Sequence, residues 1–326
     1  MPEVAARCAV CRAMLDDEDL FCANCGTETP LKRADALPST IITTHRFECQ
    51  GCGASMSYDA GVQRLRCPFC GSEQLESKAD GKTLKPSRVV KFDTEQNEAL
   101  AKLRAFMGGS FWRPSDLQEA AVVTRLTAVY VPYYVFSAKV YTYWTADSSV
   151  TPTFANASWY PVSGQREGEY QGVLVGASGV LTPAETAALN PFDLSRGVEF
   201  EEVDLENVVY EPFSVQRKYA RTQVQAAFDE LETQACAALV PGNARNVHVN
   251  VRVEGLASEP VLLPIWVMAY QYREQLYRFL VNGQTGRCTG TAPTSMAKVA
   301  AVSVGVIVAI IVAVIAFAIC SGIASR

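Results

Sequence analysis

The stretch FECQGCGASMSYDAGVQRLRCPFCG, Phe47–Gly71, holds two Cys-x-x-Cys pairs separated by fourteen residues. Two residues between cysteines allow a tight turn that aims both thiolates at one ion, while nearby backbone amides support the sulfur charge. A small residue just after the second cysteine suits that turn, and Gly53 and Gly71 stand there. Cys49, Cys52, Cys67 and Cys70 are therefore predicted to close a tetrahedral zinc site with no open coordination position. Four thiolates also suit iron, so the spacing alone leaves that ion open.

The pattern repeats upstream. Cys8 and Cys11 are followed after ten residues by Cys22 and Cys25, with Gly26 after the last cysteine and Arg12 departing from the rule. Two zinc ribbons and two zinc ions per chain are expected. Eight of the eleven cysteines thus lie in the first 70 residues, and Cys236, Cys288 and Cys320 are scattered. A disulfide framework needs an oxidising compartment. Asp16, Asp17, Glu18 and Asp19 leave no room for a secretory leader near the N-terminus, which is expected to stay in the reducing cytoplasm. A redox Cys-x-x-Cys would ordinarily come once rather than four times.

At the other end, Val299–Ile319 is interrupted only by Ser303 and Gly305. A helix of that length spans about 30 Å, the thickness of a hydrocarbon core. The region 297–320 is predicted to cross the membrane once, as a tail anchor. Lys298 and Arg287 on one side against Arg326 on the other agree with a cytoplasmic body. Cys320 at the helix end is a candidate for lipidation, though a passive interfacial cysteine is the plainer reading.

Between these ends the predicted order is ribbon 1 over 1–30, a polar linker over 31–46, ribbon 2 over 47–76, a second linker over 77–90 and an α+β body over 91–292. Lysines with Gly81 and Pro86 mark that second linker. Helices are predicted over Thr94–Met107, stopped by Gly108-Gly109, from the Thr182 cap with Pro183 in the first turn, and over Arg221–Leu239 before Pro241-Gly242. Strands are predicted over Leu126–Trp144, broken near Pro132, over 169–181 and over Val247–Val253. Val261–Tyr272 and Leu276–Val281 read as a hairpin, with Asn282-Gly283 turning into Arg287–Gly290. Val131-Pro132-Tyr133-Tyr134-Val135 resembles Leu263-Pro264-Ile265-Trp266-Val267, which suggests two related α+β units. The fold class expected is α+β: two zinc ribbons, a mixed antiparallel-sheet and helix body, and one C-terminal transmembrane helix.

Composition narrows the function. The net charge is −5, and residues 1–80 carry eight Lys or Arg against twelve Asp or Glu. That is a poor footprint for phosphate backbones. The two histidines, His45 and His248, are better read as a stray neighbour of Cys49 and a strand residue than as catalytic bases. Gly81-Lys82-Thr83 lacks the glycine a phosphate loop requires at position 76, where Glu76 stands. Neither a nucleophile elbow nor a dinucleotide fingerprint occurs. Asn156-Ala157-Ser158 fits the glycosylation pattern but has no meaning on the cytoplasmic side.

Phe47–Gly71, with FWRPSDL (Phe111–Leu117), AVYVPYYVF (Ala128–Phe136), YTYWTAD (Tyr141–Asp147), LPIWVMAYQY (Leu263–Tyr272) and YRFLVNGQTG (Tyr277–Gly286), resembles bacterial TFIIB-type zinc-ribbon membrane proteins, YdjG-like proteins among them. Some of these carry primosomal or superfamily II helicase labels, but the nucleotide-binding motifs such labels require are missing here. The resemblance covers most of residues 45–298 and implies a membrane-associated zinc-ribbon protein. It also implies partners of the PspA and SPFH envelope-stress types. Cys8–Cys25 resembles an added double zinc-ribbon module. A non-enzymatic membrane adaptor that binds other proteins is the function expected. A membrane-tethered nucleic-acid or transcription-associated protein is the alternative.

Overall fold

The structure, a computed structural model, describes residues 3–4, 6–12, 14–15, 41–57, 66–153, 158–203 and 209–324. The first half holds β1 (Glu3–Val4), β2 (Ala6–Arg7), β3 (Met14–Leu15), β4 (Ile41–Cys49), β5 (Ser55–Ser57), β6 (Leu75–Leu84), β7 (Arg88–Val90), α1 (Gln96–Gly108), α2 (Leu117–Ala120) and β8 (Val122–Ser148). The second holds β9 (Tyr160–Gly176), α3 (Pro183–Ala188), β10 (Gly197–Glu199), β11 (Val209–Tyr210), α4 (Arg217–Ala237), β12 (Ala244–Tyr272), β13 (Gln275–Asn282), β14 (Cys288–Gly290) and α5 (Met296–Ala324).

Strands β8 and β12 organise the sheet. They run antiparallel along nearly their whole length, from Ala244 opposite Ser148 to Gln271 opposite Val122. β9 flanks β8, and β13 returns along β12 through a tight turn at Arg273 (φ 48°) and Glu274 (φ 67°). The break expected at Pro132 is absent, for a geometric reason. On the side of β8 away from β12, β9 pairs up to Tyr133 and β11 pairs at Val129 and Tyr130. Pro132 falls in the gap, where no ladder donor is needed. Pro264 sits in the matching gap on β12, between β13 at Ile265 and β7 at Val261 and Leu262. Val247–Val253 and Val261–Tyr272, expected as separate strands, are one strand with a bulge between Glu254 and Ala257. Gly255 (φ 61°) supplies the left-handed backbone there.

The two similar segments are hydrogen-bonded to each other, with Val131 opposite Leu263. The correspondence extends well beyond them. β7 pairs parallel with β12 at Leu262, and β11 pairs parallel with β8 at Tyr130. Three residues after each pairing comes a phenylalanine: Phe92 meets the Trp266 ring at 5.1 Å, and Phe213 meets the Tyr134 ring at 5.4 Å. Trp266 Nε1 donates to Thr94 O at 2.9 Å, as Tyr134 Oη donates to Val215 O at 3.1 Å. Asp93 N and Thr94 N donate to Gly283 O, as Ser214 N and Val215 N donate to Ala177 O. Gly283 N and Ala177 N in turn donate to Pro264 O and Pro132 O. Each helix then buries the same spacing, Ala99, Leu103 and Met107 on α1 and Ala220, Val224 and Phe228 on α4. The body is thus one strand–helix–strand–strand pattern used twice about a local two-fold axis. Each helix lies on a sheet half to which both copies contribute: α1 packs on Met268, Tyr270 and Phe279 with Leu126 beside them, and α4 packs on Phe136, Val140 and Val175 with Val251, Val253 and Leu256.

The linker expected over 77–90 is largely strand. β6 pairs with β4 from Leu75 opposite Cys49 to Leu84 opposite Ile41, and β7 joins the body. Gly81 and the lysines looked like loop sequence, but the β4 ladder holds this backbone in strand geometry. Residues 41–46 of the other expected linker belong to β4, and 31–40 lie outside the described residues. β5 pairs with β11 at Ser57 opposite Tyr210. Met56 and Phe69 are buried in the same apolar cluster as Val131, Tyr133 and Leu263. The cysteine-bearing module therefore sits on the body core.

Helix α5 closes the described chain. Its first 20 residues, Met296–Ile315, have a mean hydropathy of 2.8 and none is buried. It is long and apolar enough to cross a membrane.

Candidate metal centre

Cys49 ends β4, and Cys52 follows in a turn that Gly53 closes by donating to Cys49 O at 2.8 Å. Cys67 and Cys70 form the same turn, closed by Gly71 N to Cys67 O at 2.9 Å. Gly53 (φ 73°) and Gly71 (φ 77°) take the left-handed conformation this closure demands. The outward bonds match as well, Cys49 N to Ala54 O and Cys67 N to Ser72 O, each at 2.9 Å. Each knuckle is therefore rigid before any ion is considered.

The four Sγ atoms lie within 4.8 Å of one another. The closest pairs cross between knuckles, Cys49 with Cys70 and Cys52 with Cys67, each at 3.5 Å. A tetrahedral site with metal–sulfur bonds of about 2.3 Å has sulfur–sulfur edges of about 3.8 Å, so the donors fit one ion. Cys49 and Cys67 are buried, Cys70 is half-buried and Cys52 is exposed. Without a cation the sulfurs cannot all carry charge. The Cys67 thiol hydrogen-bonds to Cys52, which holds Cys52 down at about 5 and pushes Cys67 up. Burial pushes Cys70 up to about 11. A divalent ion removes this conflict by binding all four as thiolates.

The first cysteine pair shows the same local form. Arg12 N donates to Cys8 O at 2.9 Å, and Val10 N approaches Cys8 Sγ at 3.4 Å. Arg12, the departure from glycine, adopts φ 60° and so takes the backbone role of Gly53 and Gly71. Cys8 is buried with Leu15. Cys22 and Cys25 lie outside the described residues.

The remaining sequence candidates fall elsewhere. His45 lies at a register shift in β4, and His248 is exposed on β12 opposite Thr145. Gly81-Lys82-Thr83 is part of β6, not a loop before a helix, and Thr83 Oγ1 accepts from Phe213 N at 3.1 Å. Asn156 and Ala157 lie outside the described residues, and Cys320 falls in α5.

Two buried acids had no sequence signal. Glu232 on α4 is fully buried, ion-paired with Arg166 and hydrogen-bonded by Tyr170 Oη at 2.6 Å. Glu211, just after β11, accepts from Ser178 Oγ and from Gly179 N, each at 2.7 Å, and so fixes the loop before α3. Burial pushes the Glu211 carboxyl up from 4.5 to about 7. The folded state therefore favours the protonated acid. That stability is fully present below pH 4.5 and is lost as pH rises through 7. It amounts to about 3 kcal/mol by linkage. The urea midpoint of the intact chain should fall between pH 5 and pH 8, and Glu211→Gln should flatten that fall. An equally steep fall in the variant would contradict the assignment.

No protein-family model matches the chain, and no solved structure matches it. The chain is similar to the uncharacterized protein YdjG of Bacillus subtilis (strain 168), with 22% identity over 325 residues, covering 80% of this chain and 93% of that protein.

Proposed function

We propose that this protein is a membrane-anchored adaptor of the TFIIB-type zinc-ribbon kind, in which zinc holds structure and the body recognises other proteins. The observation that carries the reading is the donor set of the cysteine cluster. Four thiols within 4.8 Å fill every corner of a tetrahedral ion and leave no position for substrate or water. The same cluster lies against the body core, with Met56 and Phe69 buried beside Val131 and Leu263. That placement suits an ion that buttresses a sheet edge. The repeated knuckle at Cys8 and Cys11 supports a second zinc ion, completed by Cys22 and Cys25.

The body is assigned to the cytoplasmic side, where free thiolates persist and where Lys298 beside the helix start agrees with the positive-inside rule. Exposed sheet edges offer a recognition surface for proteins, with the PspA and SPFH types the partners that the family resemblance implies. Intact protein in mild detergent should hydrolyse no ATP and bind DNA only weakly and in a salt-sensitive way. It should retain defined partner proteins that a Cys49→Ser variant loses. Sub-micromolar, sequence-selective DNA binding at physiological salt, or sustained nucleotide turnover, would overturn the adaptor reading.

A further inference from the structure

We infer that the body makes a second contact with the bilayer, through an aromatic loop clamped to the start of the membrane helix. The loop is Ser110–Pro114, between α1 and α2. Phe111 is 64% exposed and Trp112 is 45% exposed, and their rings meet edge to face at 5.4 Å. A soluble surface has no use for two adjacent bare aromatics, and isolated exposure would carry nothing further. Here the backbone decides what covers them. Ser295 N, one residue before α5, donates to Trp112 O at 2.8 Å. Lys298 Nζ, in the first turn of α5, donates to Arg113 O at 2.8 Å and lies 5.4 Å from the Phe111 ring centroid. The two aromatics are therefore fixed at the level where the apolar helix begins.

That level is the headgroup boundary once α5 crosses a bilayer, and the inference rests on that membrane reading. Tryptophan concentrates at this boundary because its ring is apolar at one end and donates a hydrogen bond at the other. The lysine stem of Lys298 covers apolar surface while its ammonium stays in the polar layer. The neighbouring end of the body agrees in character. Asp116 ties the loop to the hairpin tip through Tyr272 Oη at 2.9 Å and Arg273 at 3.2 Å. On that hairpin end, Val122, Val123 and Leu276 are exposed beside the exposed Arg273. A lipid surface is the occupant that fits these exposed apolar groups, with the polar Arg273, Glu274 and Asp116 left to the headgroup layer. With the helix and the loop both engaged, the body has one orientation on the membrane instead of swinging from a single tether.

The test uses the intact chain reconstituted in phosphatidylcholine vesicles, with and without brominated acyl chains, which quench only tryptophans close to the bilayer. Of the other three tryptophans, Trp144 is buried in the body and Trp266 packs against Phe92 ahead of α1. Trp159 lies under Arg245 next to Tyr160, which pairs with Ser148 at the end of β8 away from Val122, so none of them sits beside the helix start. Brominated lipid is expected to quench the wild type, and Trp112→Phe is expected to lose most of the quenchable emission while floating with vesicles as before. A wild-type chain that floats with vesicles yet shows the same quenching as Trp112→Phe would overturn the second contact and leave the anchor intact. A wild-type chain that does not float with vesicles would overturn the anchor itself, and this inference with it.

Discussion

Replacing Cys67 with serine should collapse the metal site and unfold the module around it. Structural zinc sites of this kind contribute on the order of 10 kcal/mol to folding, because the site does not exist in the unfolded chain. Serine keeps the turn that Gly71 closes but removes one of the four thiolates, and Cys67 is among the buried ones. The damage should not stop at the knuckles. Met56 and Phe69 share the apolar cluster with Tyr133 and Leu263. β5 is hydrogen-bonded to β11. Limited proteolysis should cut the variant first between β5 and β6, with the β8–β12 pair surviving. The variant should also lose one metal ion per chain. A Cys67→Ser protein with unchanged metal content and protease resistance would contradict the site.

Deleting residues 297–326 should have a comparably large effect on location. The Met296–Ile315 span is almost wholly apolar and none of it is buried in the body, so water is a poor solvent for it. The truncated chain should leave the membrane pellet and appear in the soluble fraction. If the loop at Phe111 and Trp112 touches lipid only alongside the helix, it should not retain the body alone. Truncated protein that stays in the pellet after a high-salt wash would show that the body carries a primary membrane-binding surface.

The cluster of Cys49, Cys52, Cys67 and Cys70 was legible because its pattern is local. Two residues between cysteines and a glycine after the second define the turn, and the structure repeats it at Cys49 and Cys67. Arg12 shows the limit of that rule, since its left-handed backbone (φ 60°) serves where glycine was expected. The long apolar helix was equally local, a single run interrupted only by Ser303 and Gly305.

The body was harder to read because its strand partners are remote in sequence. Pro132 and Pro264 look like strand breaks, and only the gaps left by β9 with β11 and by β13 with β7 make them harmless. The kinship of the two proline segments was visible as four matching positions of five, an apolar residue, a proline, an aromatic and a valine. Its extent was not. The matched bonds to Gly283 and Ala177 come from backbone atoms, which leave no trace in side-chain identity. The placing of α1 and α4 likewise depends on which sheet half each helix meets, and strands of both copies build each half. Lys78, Gly81 and Lys82 suggested a linker because nothing local announces pairing with β4. Nothing local marks Glu211 or Glu232, and only the fold that buries them reveals their donors.

The central claim is that the metal is fully enclosed by sulfur and supports the fold without reacting. X-ray absorption at the zinc edge of the intact, detergent-purified chain tests it most directly. The expected result is zinc with four sulfur neighbours at about 2.3 Å and no lighter ligand. Iron in place of zinc, or an oxygen or nitrogen neighbour replacing a sulfur and so leaving an open coordination position, would contradict it.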